Sequence, residues 1–248
     1  MDKMVYTAMT GARHIVEQQA VTANNLANAT TTGFRAQLDA FRAVPLLGPG
    51  LPTRTMVVDT TMGADFSQGS LQSTGRELDV GVQGAGWIAV QLEDGSEAYT
   101  RNGNLTLNEN GVLQVQGGKQ VAGDGGANIT IPPNTTIGIG RDGTVSGIST
   151  ATPGGAVTVL GRIKLVNPPP EQMVRGADGL FRLRDGAQAD ADATVRLAAG
   201  TLEASNVNVV NEMVNMISQA RAFEMHMALL KNAESNDTRA AQMLSLNG

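Results

Sequence analysis

The chain has 248 residues, enough for one large domain or two smaller ones. Apolar residues make up 41%, which argues against disorder; charged residues are only 17% and the net charge is −5, which argues against a nucleic-acid partner. Zero cysteines exclude thiolate chemistry and Cys-ligated metals, and 30 glycines with 3% aromatics suggest many turns over a thin core that subunit contacts must help to support.

The opening segment, MDKMVYTAMTGARHIVEQQ, has no continuous apolar run of signal-peptide length, and no later segment reaches a membrane span. Direct membrane insertion is therefore not expected. Val5, Met9, Ala12, Val16, Gln19, Ala23 and Leu26 recur at steps of four and three. That spacing predicts a helix over about 2–29 with a heptad-like apolar stripe. It runs out in TANNLANATTTGFRAQ, Thr22 to Gln37, where Asn and Thr compete with helical backbone bonds and Gly33 ends the turn.

Residues 41–70 contain Pro45, Pro49 and Pro52, which forbid a long helix, so an extended, partly stranded connector is expected. From about 71 to 200 the pattern becomes short alternating runs between turn signals. NLTLN, GVLQVQ, NITIP, TTIGIG, GTVSG, GRIKLV and GLFRLR read as strands, and Asn102-Gly103 and Asn110-Gly111 suit type I′ hairpin turns.

The last region repeats the first. Val209, Met213, Met216, Ala220, Phe223, Met227 and Leu230 again step by four and three, with Val210, Val214 and Ile217 widening the stripe. A helix of roughly 40 residues and about 60 Å is expected, with Ser205 or Asn206 as its N-cap. The boundaries read as 1–40 for the first helix and hinge, 41–70 for the connector, 71–200 for an all-β domain and 201–248 for the second helix. The fold class is α+β: a central all-β domain flanked by long terminal helices that pair and form the core of a helical assembly.

Catalytic motifs are lacking. His14 and His226 lie on opposite terminal helices, where two unrelated surface histidines are a simpler reading than a metal pair or pH sensor. VGVQGAGW is not a dinucleotide fingerprint, and its glycines read as turn and strand-packing residues. RDGAQADADA lacks the spacing and closing Glu of an EF-hand and reads as a solvated loop. No catalytic residue, cofactor or metal ligand is assigned, and no enzymatic activity is expected.

Three blocks carry a resemblance. TANNLANATTTGFR looks like the N-terminal signature of bacterial flagellar axial (rod and hook) proteins. GRELDVGVQGAGWIAVQ with AYTRNGNLTLNENGVLQVQGGKQVAG is similar to their central β region, and GTLEASNVNVVNEMVNMISQARAFEM to their C-terminal signature. They stand in the family's order and cover well over half the chain. The chain is most like the proximal-rod members, departing from them at Trp87-Ile88, where paired Phe is common, and at Ala220, where Gln is common. The resemblance implies a structural subunit of the basal-body proximal rod. That rod crosses the periplasm and transmits torque from the rotor ring to the distal rod and hook. Its partners would be copies of itself, homologous rod subunits, the rod-base and distal-rod proteins, and the type III export apparatus, which dispenses with a cleavable signal. Alternatives are a distal rod or hook subunit, or a secreted β-rich adhesin with oligomerising helices.

The expected subunit interface comprises Val5, Met9, Val16, Asn24, Asn25, Leu26, Asn28, Gly33 and Phe34 at the front of the chain. Asn206, Val207, Asn208, Glu212, Met213, Met216, Phe223, Met227 and Leu230 complete it at the back. The Asn amides serve two expected roles: ending or capping helices, and bonding polar groups of neighbouring subunits.

Overall fold

The computed structural model describes residues 2–45, 55–150 and 156–245. Pro49 and Pro52 of the expected connector, and residues 246–248 of the expected second helix, lie outside them, as do the side chains of Val5 and Met243. The chain divides into two compact units. One gathers Met1–Ala29, Gln37–Asp65 and Val207–Gly248; the other gathers Thr30–Ala36 and Phe66–Asn206.

The first unit holds helix α1 (Asp2–Ala27), the strands β1 (Gln37–Pro45) and β2 (Thr55–Ala64), and helix α2 (Val209–Ser245). Strands β1 and β2, which cover part of the expected 41–70 connector, pair as an antiparallel ribbon from Gln37↔Ala64 to Pro45↔Thr55, with an irregularity between Leu38 and Ala40. Helix α1 has 26 residues and α2 has 37. The second begins later than expected, because Asn208 is its cap. The Asn208 side-chain oxygen accepts from the amides of Val210 and Asn211, at 3.1 and 3.2 Å. Asn206, the expected cap, is used elsewhere.

The second unit is β throughout, apart from one short 3-10 turn at Pro170–Gln172. Its strands are β3 (Leu71–Ser73), β4 (Val80–Gln83), β5 (Trp87–Gln91), β6 (Glu97–Thr100), β7 (Leu105–Leu107), β8 (Leu113–Val115) and β9 (Gln120–Val121). They continue with β10 (Thr135–Ile139), β11 (Thr144–Ser149), β12 (Thr158–Arg162), β13 (Leu165–Val166), β14 (Met173–Arg175), β15 (Phe181–Leu183), β16 (Arg196–Ala199) and β17 (Thr201–Glu203). The main sheet runs β14-β15-β6-β5-β9-β8-β7, with β13 also on β5. A three-stranded sheet, β10-β11-β12, and the pairs β16-β4 and β17-β3 complete the unit. Val80, Ile88, Val90, Leu105, Leu113 and Ile163 are fully or almost fully buried in one apolar cluster. All but Ile163, which bridges to Gly123, stand in strands, where β-branched residues pack well on the pleated surface.

Two local expectations are corrected. The Asn-Gly turns are not type I′, which needs positive φ at both central residues. Only Asn134 among described non-glycine residues has positive φ. At the β7–β8 turn, Asn108 dominates instead. Its side-chain oxygen accepts from the amides of Asn110 and Val112, its carbonyl accepts from Gly111, and only Gly111 is left-handed, at φ 73°. NITIP forms no named strand. It makes isolated bridges, Ala122↔Asn128 and Val112↔Thr130, while Ile129 and Ile131 are buried in the core.

Candidate assembly surfaces

In the first unit, α1 and α2 run antiparallel. The Gln219 amide donates to Thr22 Oγ1 at 3.0 Å, and the Asn25 amide to Glu212 Oε1 at 3.2 Å. Asn25 also holds the start of β1: it donates to the Gln37 carbonyl at 3.0 Å and accepts from the Gln37 amide at 2.8 Å. Further along, the space where a Gly11 Cβ would stand is filled by the His226 ring, whose Cε1 would lie 2.5 Å from it. His14 packs edge-on against Phe41, ring centroids 5.3 Å apart. The two histidines are therefore accounted for by packing in the helix seam and against the ribbon.

The seam is rotated from the expected stripe. Of the expected residues on α1, Ala12, Gln19 and Leu26 are shielded, but Met9 and Val16 are about half exposed and Ala23 is exposed. Ala8, Ile15 and Thr22 take their place. On α2, Met216, Phe223 and Leu230 are partly buried, whereas Met213 and Met227 are exposed and Glu212, Gln219 and His226 replace them. Each helix thus keeps one half of its expected heptad and moves the other half by one residue. Apart from Ala222, the partly buried positions among the described residues of α2 are 212, 216, 219, 223, 226, 230 and 233, which step by four and three.

The rotation leaves an apolar face outward. Val210 (68% exposed), Met213, Val214 and Ile217 (56%) stand at i, i+3, i+4 and i+7, one stripe of a helix, and Val209, Met225 and Leu229 are exposed beyond them. Asn24 is exposed and Asn28 half-buried, its amide donating to the Asn24 carbonyl at 2.9 Å. That bond and the paired Asn28 backbone contacts close α1.

The second unit presents a different site, which spacing did not suggest. Residues 30–36 form a strap laid into the β unit. Gly33 is left-handed at φ 68°, and a Cβ there would collide with the Arg101 backbone. Its amide donates to the Glu203 carbonyl at 2.7 Å. Arg35 and Glu203, each 1% exposed, form an ion pair at 2.6 Å, and Arg101 reaches the other Glu203 oxygen at 3.0 Å. Burial pulls the Arg101 guanidinium below its ordinary pKa, while Glu203 acts in the opposite direction. The Trp87 ring lies under both guanidiniums, 5.9 and 5.2 Å from its centroid, and packs with Phe66 and Phe181.

Phe34 is buried under the Arg175 guanidinium, 4.4 Å from the ring centroid, and Arg175 donates to the Arg35 carbonyl. The Ala36 amide donates to Asn206 Oδ1 at 2.7 Å, and the Asn206 amide nitrogen to the Ser67 carbonyl. Asn206 thus fastens the strap rather than capping a helix. Val207 is half-buried at the start of the next segment. Among the described residues no group of three or more potential ligands is placed to hold a metal ion, and no helix is long and apolar enough to cross a membrane.

Three family models match in the same order as these features. Residues 5–35 match the flagella basal body rod protein, 81–147 the flagellar hook protein FlgE/F/G D1 domain, and 198–243 the flagellar basal body rod FlgEFG protein C-terminal model. The flagellar basal-body rod proteins FlgF of Salmonella typhimurium and of Escherichia coli are each 47% identical to this chain, with all of both chains covered. The FlgF of Buchnera aphidicola subsp. Schizaphis graminum is 33% identical over the same full coverage. The chain belongs to the FlgF family of flagellar basal-body rod proteins. As a member of that family it is a structural subunit of the proximal rod, located in the basal body. The first and last family matches enclose both helices' seam residues and both ends of the Glu203 strap, so the resemblance in the sequence falls on the two sites that the geometry brings out.

Proposed function

We propose that the subunit polymerises through α1 and α2, which line the core of a hollow axial shaft, with the β unit on its outside. The shaft carries torque from the rotor ring to the distal rod and hook across the periplasm. Its neighbours are copies of itself, homologous rod subunits, the rod-base proteins and the distal-rod proteins. The flagellar type III export apparatus delivers the chain to the shaft. The role is mechanical: packed helices resist bending and twisting because each turn is braced by neighbouring side chains, and no chemical step is required.

The observation that carries this reading is the outward apolar stripe Val210–Met213–Val214–Ile217, which the chain's own seam leaves uncovered. Exposed contiguous apolar surface of this kind marks an interaction site. Exposed Met9, Val16 and Met227 extend the same proposal, and Asn24 remains available to a neighbour's polar groups.

The test is Ile217→Asp in cells making no other copy of the chain. The expected result is loss of the subunit from basal bodies and loss of swimming, while the β unit within the purified full-length variant melts as before. Normal rods and swimming with this variant would overturn the helical-core reading. Electron microscopy of basal bodies lacking the chain gives a second view: loss of everything beyond the rotor ring is expected.

A further inference from the structure

We propose that three layers of the α1–α2 seam, Gly11–His226, Thr22–Gln219 and Asn25–Glu212, set the register in which the two helices pair. The apolar residues cannot do this. Met216, Phe223 and Leu230 recur every seven residues, so sliding one helix by a heptad exchanges one apolar layer for another. A repeating seam of this kind has several registers of similar energy unless some layer is unique.

The three layers are unique. In the observed register the His226 ring occupies the place of a missing Cβ at Gly11. Moving α2 one heptad in one direction brings His226 to the level of Gln18 and Thr22, where no such space is left by a glycine. Moving it in the other direction brings Asn25 to the level of Ser205, which precedes α2, so Asn25 loses its Glu212 partner. The Thr22–Gln219 bond is broken either way.

These layers are poor choices for stability alone. Asn25 and Thr22 are buried, and the Gln219 side-chain oxygen and the His226 Nδ1 are buried without a hydrogen-bond partner. Burying such groups costs more than burying methyl groups. A buried polar residue that fixes register while lowering stability is the best-attested role for polar groups in helical seams. The register also decides the level along α1 at which the outward stripe Val210–Met213–Val214–Ile217 stands. It is therefore a specificity determinant for assembly, and in that respect the inference rests on the helical-core reading above.

The chain contains no cysteine, so engineered pairs report register without background. Continuing the Thr22–Gln219 alignment by two heptads places Ala8 opposite Ala233. An A8C/A233C pair therefore reports the observed register, and the pairs A8C/A240C and A12C/A222C each report a slip of one heptad, in opposite directions. Each pair is oxidised in basal bodies isolated from cells making only that chain, in three backgrounds: the unaltered seam, an apolar seam (T22L, E212L, Q219L, H226L), and a swapped layer (T22Q, Q219T). The unaltered and swapped seams should give the A8C/A233C cross-link alone. In the apolar seam the slipped cross-links should rise at least about tenfold, or the chain should be excluded from rods that the swapped chain still enters.

The proposal is overturned if the apolar seam keeps the A8C/A233C cross-link alone. It is equally overturned if the swapped and apolar seams slip or are excluded alike. Absence of the A8C/A233C cross-link with an unaltered seam in intact rods would instead count against the helical-core reading, which separates the two failures.

Discussion

The two units solve opposite problems. In the β unit a large apolar core is inside, although Val157 and Val159 are exposed: Val80, Ile88, Val90 and Leu105 are completely covered, and even its buried charges meet partners, with Glu203 held between Arg35 and Arg101. In the helical unit the seam contains Glu212, Gln219 and His226, while Val210, Val214 and Ile217 face out. A core that hides its apolar surface is finished as a single chain. Helices that show theirs are unfinished, and the proposed assembly through α1 and α2 rests on this difference.

Amide exchange in the isolated subunit probes the contrast most strongly. Residues 2–27 and 209–245 should exchange at least about a thousandfold faster than β5 and β6, because an unsupported helix is marginal whereas the β core opens only with global unfolding. Equal protection in both regions would erase the distinction. Next in size is Glu203→Ala. It leaves two guanidiniums buried without their carboxylate, so the β unit should lose about 3–5 kcal/mol in denaturant unfolding. A loss below about 1 kcal/mol would mean that the strap contributes little to that core.

The smallest effect is acid sensitivity. Asp178, bonded by Arg182, and Asp142, Asp192 and Asp94, bonded by the hydroxyls of Thr144, Thr194 and Ser96, are all held below the ordinary carboxylate pKa. The unfolded chain binds these protons more readily. Their contribution is therefore complete above the ordinary aspartate value of about 3.9 and disappears as pH falls through the lowered folded values. Melting of the β unit should be flat from neutral pH to about 5 and then decline. Asp178→Asn should flatten that decline, and an unchanged profile would remove Asp178 as a cause.

Much of the fold was legible in residue patterns. The α+β class, the helices at both ends and most β strands follow from periodicity and turn residues. The exact facing of the helices did not. Met9 and Val16 are more apolar than Ala8 and Thr22, so apolarity ranks them as seam residues, yet the chain pairs the smaller and more polar set and leaves the larger one outward. A periodic pattern identifies a sticky face without saying which partner covers it. The Arg35–Glu203–Arg101 cluster was missed for another reason. Arg35 and Glu203 are separated by 168 positions, and ordinary charged residues give no sign of burial until the sheet closes around them. Gly33, whose left-handed turn aims the strap, was the one local signal available.

The strap has a consequence for the order of events. Gly33 is bonded to Glu203 and Ala36 to Asn206, so the segment that follows α1 and the segment that leads into α2 are stitched together inside the β unit. The segments that lead out of α1 and into α2 are thus held together by bonds that do not depend on the helices pairing. Bringing the ends of a long chain together is an entropic cost set by the loop between them, and here that loop is already closed. Pairing can therefore start at Asn25 and Glu212 and travel along the seam like a zip fastener, with Gly11 and His226 meeting later.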